Sequence, residues 1–364
     1  MNGMNDKISI RQAFIIVLAF TYSPFMRSIP YFTAKQAKQA AWLAPLLASL
    51  ILLLAVFIFQ GIYKKYTDKE MSFMDILYDV FGKWIGKALV LTYFIFTTIL
   101  LCYYTRYYCE RLVATTYYNV DIKLFLVSML VFIAFVMRFK LVIFARMSEI
   151  IFLVLLLIFF ILSTLNIPNI ELHRITPISI SDFFPVVKAG IGVSSGYLLF
   201  SYIFLVSDKI NKTDKIKKYG LELVIFYTIV VPILVITVIG VLNYSTVERS
   251  TIPYLVAIKH ISLFQTIEKI ESLVVGIWIL SDFALLYFFS YANIHILKSL
   301  FGLKEPKHLN NIYLTFVGLF TLTLAVSKFE LEDFEQLILM PVGIIFGFGI
   351  PVLTYAVGKM RNKV

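Results

Sequence analysis

The chain of 364 residues is 60% hydrophobic and only 15% charged, a balance that excludes a soluble domain and points to a polytopic membrane protein. Its net charge of +11 reads as membrane topology rather than nucleic-acid binding, because the Lys and Arg excess falls in alternate loops. Cys102 and Cys109 lie on one apolar segment, roughly 10 Å apart along a helix axis, which rules out a disulfide between them.

Ten apolar spans are expected, over 8–29, 41–63, 85–113, 124–138, 141–165, 183–206, 219–242, 272–297, 312–327 and 336–357. They form a single transmembrane domain over 1–364, and no loop is long enough for a soluble domain. Two amphipathic pieces, 72–80 and 250–270, are expected to lie in an interface. With the N-terminus inside, the inner segments hold about twice as many Lys and Arg as the outer ones, which places both termini in the cytoplasm.

The first span runs past Pro24 without a small-residue cleavage site and reads as a retained span rather than a signal peptide. It is interrupted at Thr21-Tyr22-Ser23-Pro24, where proline removes a backbone donor and crowds the preceding turn. In the third span, Thr97, Leu100 and Tyr104 share one helical face and either line a pocket or pack in the core. The tyrosines nearby, Tyr103, Tyr107, Tyr108, Tyr117 and Tyr118, read as an interfacial aromatic belt. Glu110, between Arg106 and Arg111, reads as part of an interfacial charge cluster.

The sixth span carries Gly190, Gly192, Ser194, Ser195 and Gly196 at its centre, the poorest helix-forming run in the segment. One reading is a helix opened around a polar pocket, since freed backbone groups are tolerated only against protein or a cavity. The other is close helix packing through small residues. Interruptions at corresponding places in the first and sixth spans favour the pocket and imply two inverted repeats, about 8–165 and 183–357. Asp282, with Trp278 one turn before it, lies near the middle of the eighth span, where a carboxylate marks either function or a hydrogen-bonded packing site.

No Gly-rich loop with Lys-Ser/Thr, no His-Glu-x-x-His and no Ser-His-Asp set marks an enzyme. The candidate ligand-binding residues are thus Thr21, Tyr22, Ser23, Pro24, Thr97, Leu100, Tyr104, Gly190, Gly192, Ser194, Ser195, Gly196, Trp278 and Asp282. No catalytic residue, metal site or cofactor is expected. Helix N-termini at the breaks would hold a carboxylate, and opposing carbonyls with Asp282 an ammonium group or a cation.

The motifs KISIRQAFIIVLAF, AAWLAPLLASLILLL, SFMDILYDVFGKWIGKALVLTYFIF, ARMSEI at 145–150 and EKIESLVVGIWILSDF at 268–283 together resemble GerA-type spore germinant receptor B subunits over nearly the whole chain. That spore germination permease family is similar to amino-acid permeases of the APC superfamily. The resemblance implies an all-α, LeuT-like fold of two inverted five-helix repeats with broken first and sixth helices. It also implies a place in the spore inner membrane, a nutrient germinant such as an amino acid as ligand, and A and C subunits as partners. The chain departs from the family at the first-span break, where glycine is usual. A working amino-acid or cation transporter shares every one of these features, and labelled amino-acid uptake by the isolated chain separates it from a sensor.

Overall fold

The computed structural model describes residues 7–67, 69–115, 119–250, 252–261, 270–303, 308–324 and 328–364. Tyr117, Tyr118 and residues 262–269 of the second amphipathic piece lie outside them. The described chain is almost wholly helical. A short strand β1 (Ile8–Ser9) leads into α1 (Ile10–Ala37), a 3-10 turn (Lys38–Leu43), α2 (Ala44–Tyr63), α3 (Phe73–Phe81), α4 (Lys83–Thr115), α5 (Ile122–Val136) and α6 (Leu141–Asn166). There follow α7 (Phe183–Tyr197), a 3-10 segment (Leu198–Lys209), β2 (Ile210–Asn211), α8 (Ile216–Leu242), α9 (Tyr244–Val247), α10 (Pro253–Lys259), α11 (Ile270–Phe301), α12 (Leu309–Thr323), α13 (Lys328–Phe334), α14 (Met340–Ile344) and α15 (Ile350–Met360).

Among the described residues, seven apolar helical runs are long enough to cross a membrane. The first, Ile10–Tyr63, holds both α1 and α2, and the shorter apolar helices α5 and α12 stand beside the seven. The amphipathic piece before α4 is a helix, α3, started by a capping box in which Ser72 and Asp75 satisfy each other's backbone N–H. Its apolar face, Phe73, Met74, Ile76, Leu77 and Val80, is buried.

The helix α1 is the hub. Ser9 and Gln12 form its capping box, with Gln12 N donating to Ser9 Oγ at 3.2 Å and Ser9 N to Gln12 Oε1 at 3.0 Å. It is buried on most sides and packs against α6, α7, α8 and α11. In contrast α5 exposes Leu124, Val127, Val131 and Phe135 at helical spacing, a face suited to hydrocarbon rather than water. β1 pairs in parallel with β2, Ile8 with Ile210 and Ser9 with Asn211, so the start of α1 is bonded to the chain leaving the 3-10 segment.

The expected interruption of the sixth span lies elsewhere. α7 stays α-helical through all three glycines, and none of them has a positive φ; among described glycines only Gly82 and Gly302 do. The helix changes instead at Leu198 into twelve residues of 3-10 geometry, with non-helical angles at Val206 (φ −119°, ψ 26°). The glycines serve close approach. A Cβ on Gly190 would lie 2.8 Å from Leu47 Cβ and 3.1 Å from the Ala44 carbonyl oxygen, and one on Gly192 would collide with the Phe32 ring. Gly190 thus lets the backbones of α2 and α7 meet.

Just beyond α15, Lys363 donates to Asp79 Oδ1 at 2.8 Å, Tyr66 donates to Asp79 Oδ2 at 2.7 Å, and Arg361 donates to the Val80 carbonyl at 2.8 Å. Hydrogen bonds from Lys363 and then Tyr66 hold the Asp79 carboxyl below its ordinary value. A depressed carboxylate adds stability above its ordinary pKa of about 3.9, and that stability is lost as pH falls through the lower folded value. The melting-temperature gap between wild type and Asp79→Asn is therefore expected to be constant from pH 7 to about 5 and to close below about pH 4. A gap that widens on acidification contradicts this clamp. For the helix contact, Gly190→Val is expected to lower stability by about 1–3 kcal/mol through overpacking, whereas Gly276→Ala, with nothing within 4 Å of the new Cβ, is expected to leave it nearly unchanged. Equal melting curves for the two variants would remove the close-approach account.

Candidate functional site

Two polar clusters and two small cavities surround the middle of α1. The first cluster lies where α1, α4 and α11 meet. The Ser281 hydroxyl accepts from Ser23 N at 2.9 Å and donates to the Ala19 carbonyl at 2.7 Å. These are the two backbone groups that an uninterrupted α1 would bond to each other. The helix remains helical throughout Ile10–Ala37, so the expected first-span break is not an unwound stretch; a side chain of α11 bridges the two backbone groups of one rung there. Pro24, the next residue, has no N–H to supply the following rung.

Arg111 completes this cluster. Its Nη1 donates to Ser23 Oγ at 2.7 Å, and its Nη2 pairs with Asp282. The Arg111 and Asp282 side chains are 1% and 12% exposed. The guanidinium carbon stands 5.4 Å from the Trp278 ring centroid. Asp282 faces the bundle, and its partner is a guanidinium rather than the first-span hydroxyls alone.

The larger interior cavity, about 40 Å³, lies on another side of α1. Pro24, Phe25, Ser28, Ile29 and Phe32 form one wall; Leu100, Tyr103 and Tyr104 of α4 form a second. Gly192, Ser195 and Gly196 of α7, with Tyr202 of the 3-10 segment, form a third. The last wall comes from Glu335, Leu339, Met340 and Gly343, where two π-helical turns, Glu335–Leu339 and Ile345–Gly349, interrupt the final span. Such wide turns recur at functional sites. Glu335 pairs with Arg27 at 2.9 Å, Arg27 Nη1 donates to Tyr103 at 2.8 Å, and the guanidinium lies 3.5 Å from the Tyr107 ring centroid. The Tyr202 hydroxyl is buried and has no hydrogen-bond partner among the described residues.

The sequence candidates therefore divide. Pro24, Leu100, Tyr104, Gly192, Ser195 and Gly196 come together at this cavity. Thr21 and Tyr22 line a second, mostly apolar cavity of about 30 Å³ between α1, α6 and α8, where Thr21 Oγ1 is 2.8 Å from the Tyr227 hydroxyl. Ser23, Trp278 and Asp282 belong to the Arg111 cluster. Thr97 donates to Asn293 Oδ1, Ser194 donates to the Ile191 carbonyl at 2.6 Å, and Gly190 faces α2; these three line neither cavity.

Sequence reasoning missed Arg27, Glu335, Tyr202, Ser281 and Arg111. Arg27 carried a signal, a charge inside an apolar span. Arg111 was grouped with the interfacial charges, of which Arg106 and Glu110 do pair with each other at 2.7 Å.

Residues 7–343 match the family model described as spore germination protein. The chain belongs to that family. Among curated proteins, spore germination protein KB of Bacillus subtilis (strain 168) is 24% identical over 98% of this chain and 96% of its own length. Among solved structures, a sodium-coupled sialic acid symporter in a substrate-bound, outward-open state aligns with a TM-score of 0.61 at 14% identity, covering 99% of this chain and 89% of the symporter. The Eremococcus coleocola manganese transporter aligns with a TM-score of 0.56 at 12% identity, covering 98% and 82%. This spore germination protein thus has the fold of LeuT-like transporters.

Two substitutions test the α1 cluster. Ser281→Ala leaves a buried N–H and a buried carbonyl unpaired, and is expected to cost about 1–3 kcal/mol for each group left unsatisfied. Asp282→Asn leaves the Arg111 charge without its counter-charge and is expected to cost about 3–5 kcal/mol, seen as less folded protein in the membrane. Normal yield and melting temperature for both variants would show that neither contact holds the bundle.

Proposed function

We propose that this chain is the nutrient-sensing B subunit of a spore germinant receptor, and that the cavity between α1, α4, α7 and the final span takes the germinant, an amino acid. The observation that carries the site is the buried Tyr202 hydroxyl, without a hydrogen-bond partner among the described residues, at a cavity lined also by Glu335, which pairs with Arg27. A buried polar group without a partner is costly, and a ligand can supply the partner. Glu335 offers a carboxylate to an ammonium group, Arg27 a guanidinium to a carboxylate, and the aromatic walls enclose a small side chain.

In this reading α1 and α2 each cross the membrane, as do α5 and α12, which makes ten spans with α4, α6, α7 with its 3-10 continuation, α8, α11 and α13–α15. The first five and last five spans are inverted repeats, both termini face the spore core, and the membrane is the spore inner membrane. The receptor's A and C subunits receive the signal. A second reading, a working amino-acid transporter, draws on the likeness of fold to two transporters.

Purified protein screened against amino acids by thermal shift tests the site. A ligand at 100 times its Kd is expected to add about 2.7 kcal/mol to stability. Tyr202→Phe removes the unpaired hydroxyl, so the ligand-free protein is expected to be at least as stable while affinity falls about fivefold, the worth of one hydrogen bond of about 1 kcal/mol. An unchanged affinity for Tyr202→Phe and Glu335→Gln places the ligand elsewhere. Uptake of labelled amino acid into liposomes by the isolated chain would favour the transporter.

A further inference from the structure

The cluster between α1, α4 and α11 gathers oxygens that the germinant cavity does not use. The Asp282 carboxylate, the Ser23 hydroxyl and the Ser281 hydroxyl lie beside an opened rung of α1, where the Ala19 carbonyl accepts from Ser281. Carboxylate, hydroxyl and carbonyl oxygens gathered in one place are the donor set of a hard cation. Here a positive charge is already supplied from within the chain. The Arg111 guanidinium reaches in from α4, bonds Ser23 Oγ at 2.7 Å, pairs with Asp282 and is closed over by Trp278. Its Nε has no partner, so the group does not satisfy all of its own donors at this place. A guanidinium remains charged at any accessible pH and, being part of the chain, cannot dissociate.

We propose that Arg111 is a tethered cation: it fills a latent alkali-cation site between α1 and α11, so this protein joins those helices without binding sodium or potassium there. The symporter of similar fold is named as sodium-coupled. This chain carries a positive charge among these oxygens on its own side chain, and removing that side chain should turn the cluster into a real ion site. The vacated volume would admit a dehydrated cation and water among Asp282, Ser23 and Ser281.

The test measures melting temperature of purified protein in sodium, potassium or choline chloride at one ionic strength, with no germinant added, so its outcome does not depend on the ligand cavity. Three proteins are compared: wild type, Arg111→Ala, and the double variant Arg111→Ala with Asp282→Asn. Wild type is expected to melt at the same temperature in all three salts. Arg111→Ala should melt lowest in choline and gain about 5 °C or more, saturably, in sodium or potassium. The double variant, lacking the carboxylate, should be indifferent to the salt. Recovery of Arg111→Ala only from buffers containing sodium or potassium is the same expected result. Saturable stabilisation of wild type by either ion overturns the proposal, as does an Arg111→Ala protein that melts alike in all three salts. So does loss of Arg111→Ala in every salt while the double variant is recovered, because Arg111 would then supply charge balance alone.

Discussion

A serine hydroxyl stands in for a rung of the α1 ladder, and the rest of the bundle depends on it. In hydrocarbon a freed N–H or carbonyl has no water to turn to, so an opened rung must be satisfied by protein. Ser281 does this with one atom, accepting from Ser23 and donating to Ala19. The consequence is that α1 stays continuous yet is bonded to α11 at its midpoint, and Asp282, the next residue on α11, is brought to Arg111. The same junction thus joins three helices, and the cavity on another side of α1 shares that helix as a wall.

The spans were legible because apolar length is a one-dimensional signal; each expected span has a helix near its place. The site was legible only in part. Gly190, Gly192 and Gly196 admitted two readings, and the backbone angles support close approach, with the change of helix type falling after Tyr197. Nothing in the local sequence LLFSYIFLV marks that change, since it holds neither glycine nor proline. Within the segment Ser201 and Ser207 donate to the Leu198 and Phe204 carbonyls, and from α2 Tyr63 meets Ser207 at 2.6 Å. Glu335 was hidden for a different reason. It follows Glu330, Glu332 and Asp333 and reads as one more loop charge, yet the π-helical turn carries it to the Arg27 guanidinium.

The cavity itself is small. At about 40 Å³ it leaves little free space, so under the proposed function an amino acid would have to push its walls apart. Those walls are unequal. Tyr103 is held by Arg27, whereas Phe32 and Phe25 fill space left open by Gly192 and Gly196. Entry of a ligand would displace aromatic rings first and would set the Arg27–Glu335 pair against the ligand's own charges.

Winding gives the segment after α7 a mechanical meaning. Twelve residues in 3-10 geometry span about 24 Å, whereas the same twelve as α-helix would span about 18 Å. A kink at Val206, whose angles are not helical, divides that stretch, so a switch of hydrogen-bond partner in either part would change its length by only about 0.5 Å per residue. Its far end is the β2 strand, hydrogen-bonded to β1 at the root of α1. The two central spans share this anchor, so a change of length in one draws on the root of the other.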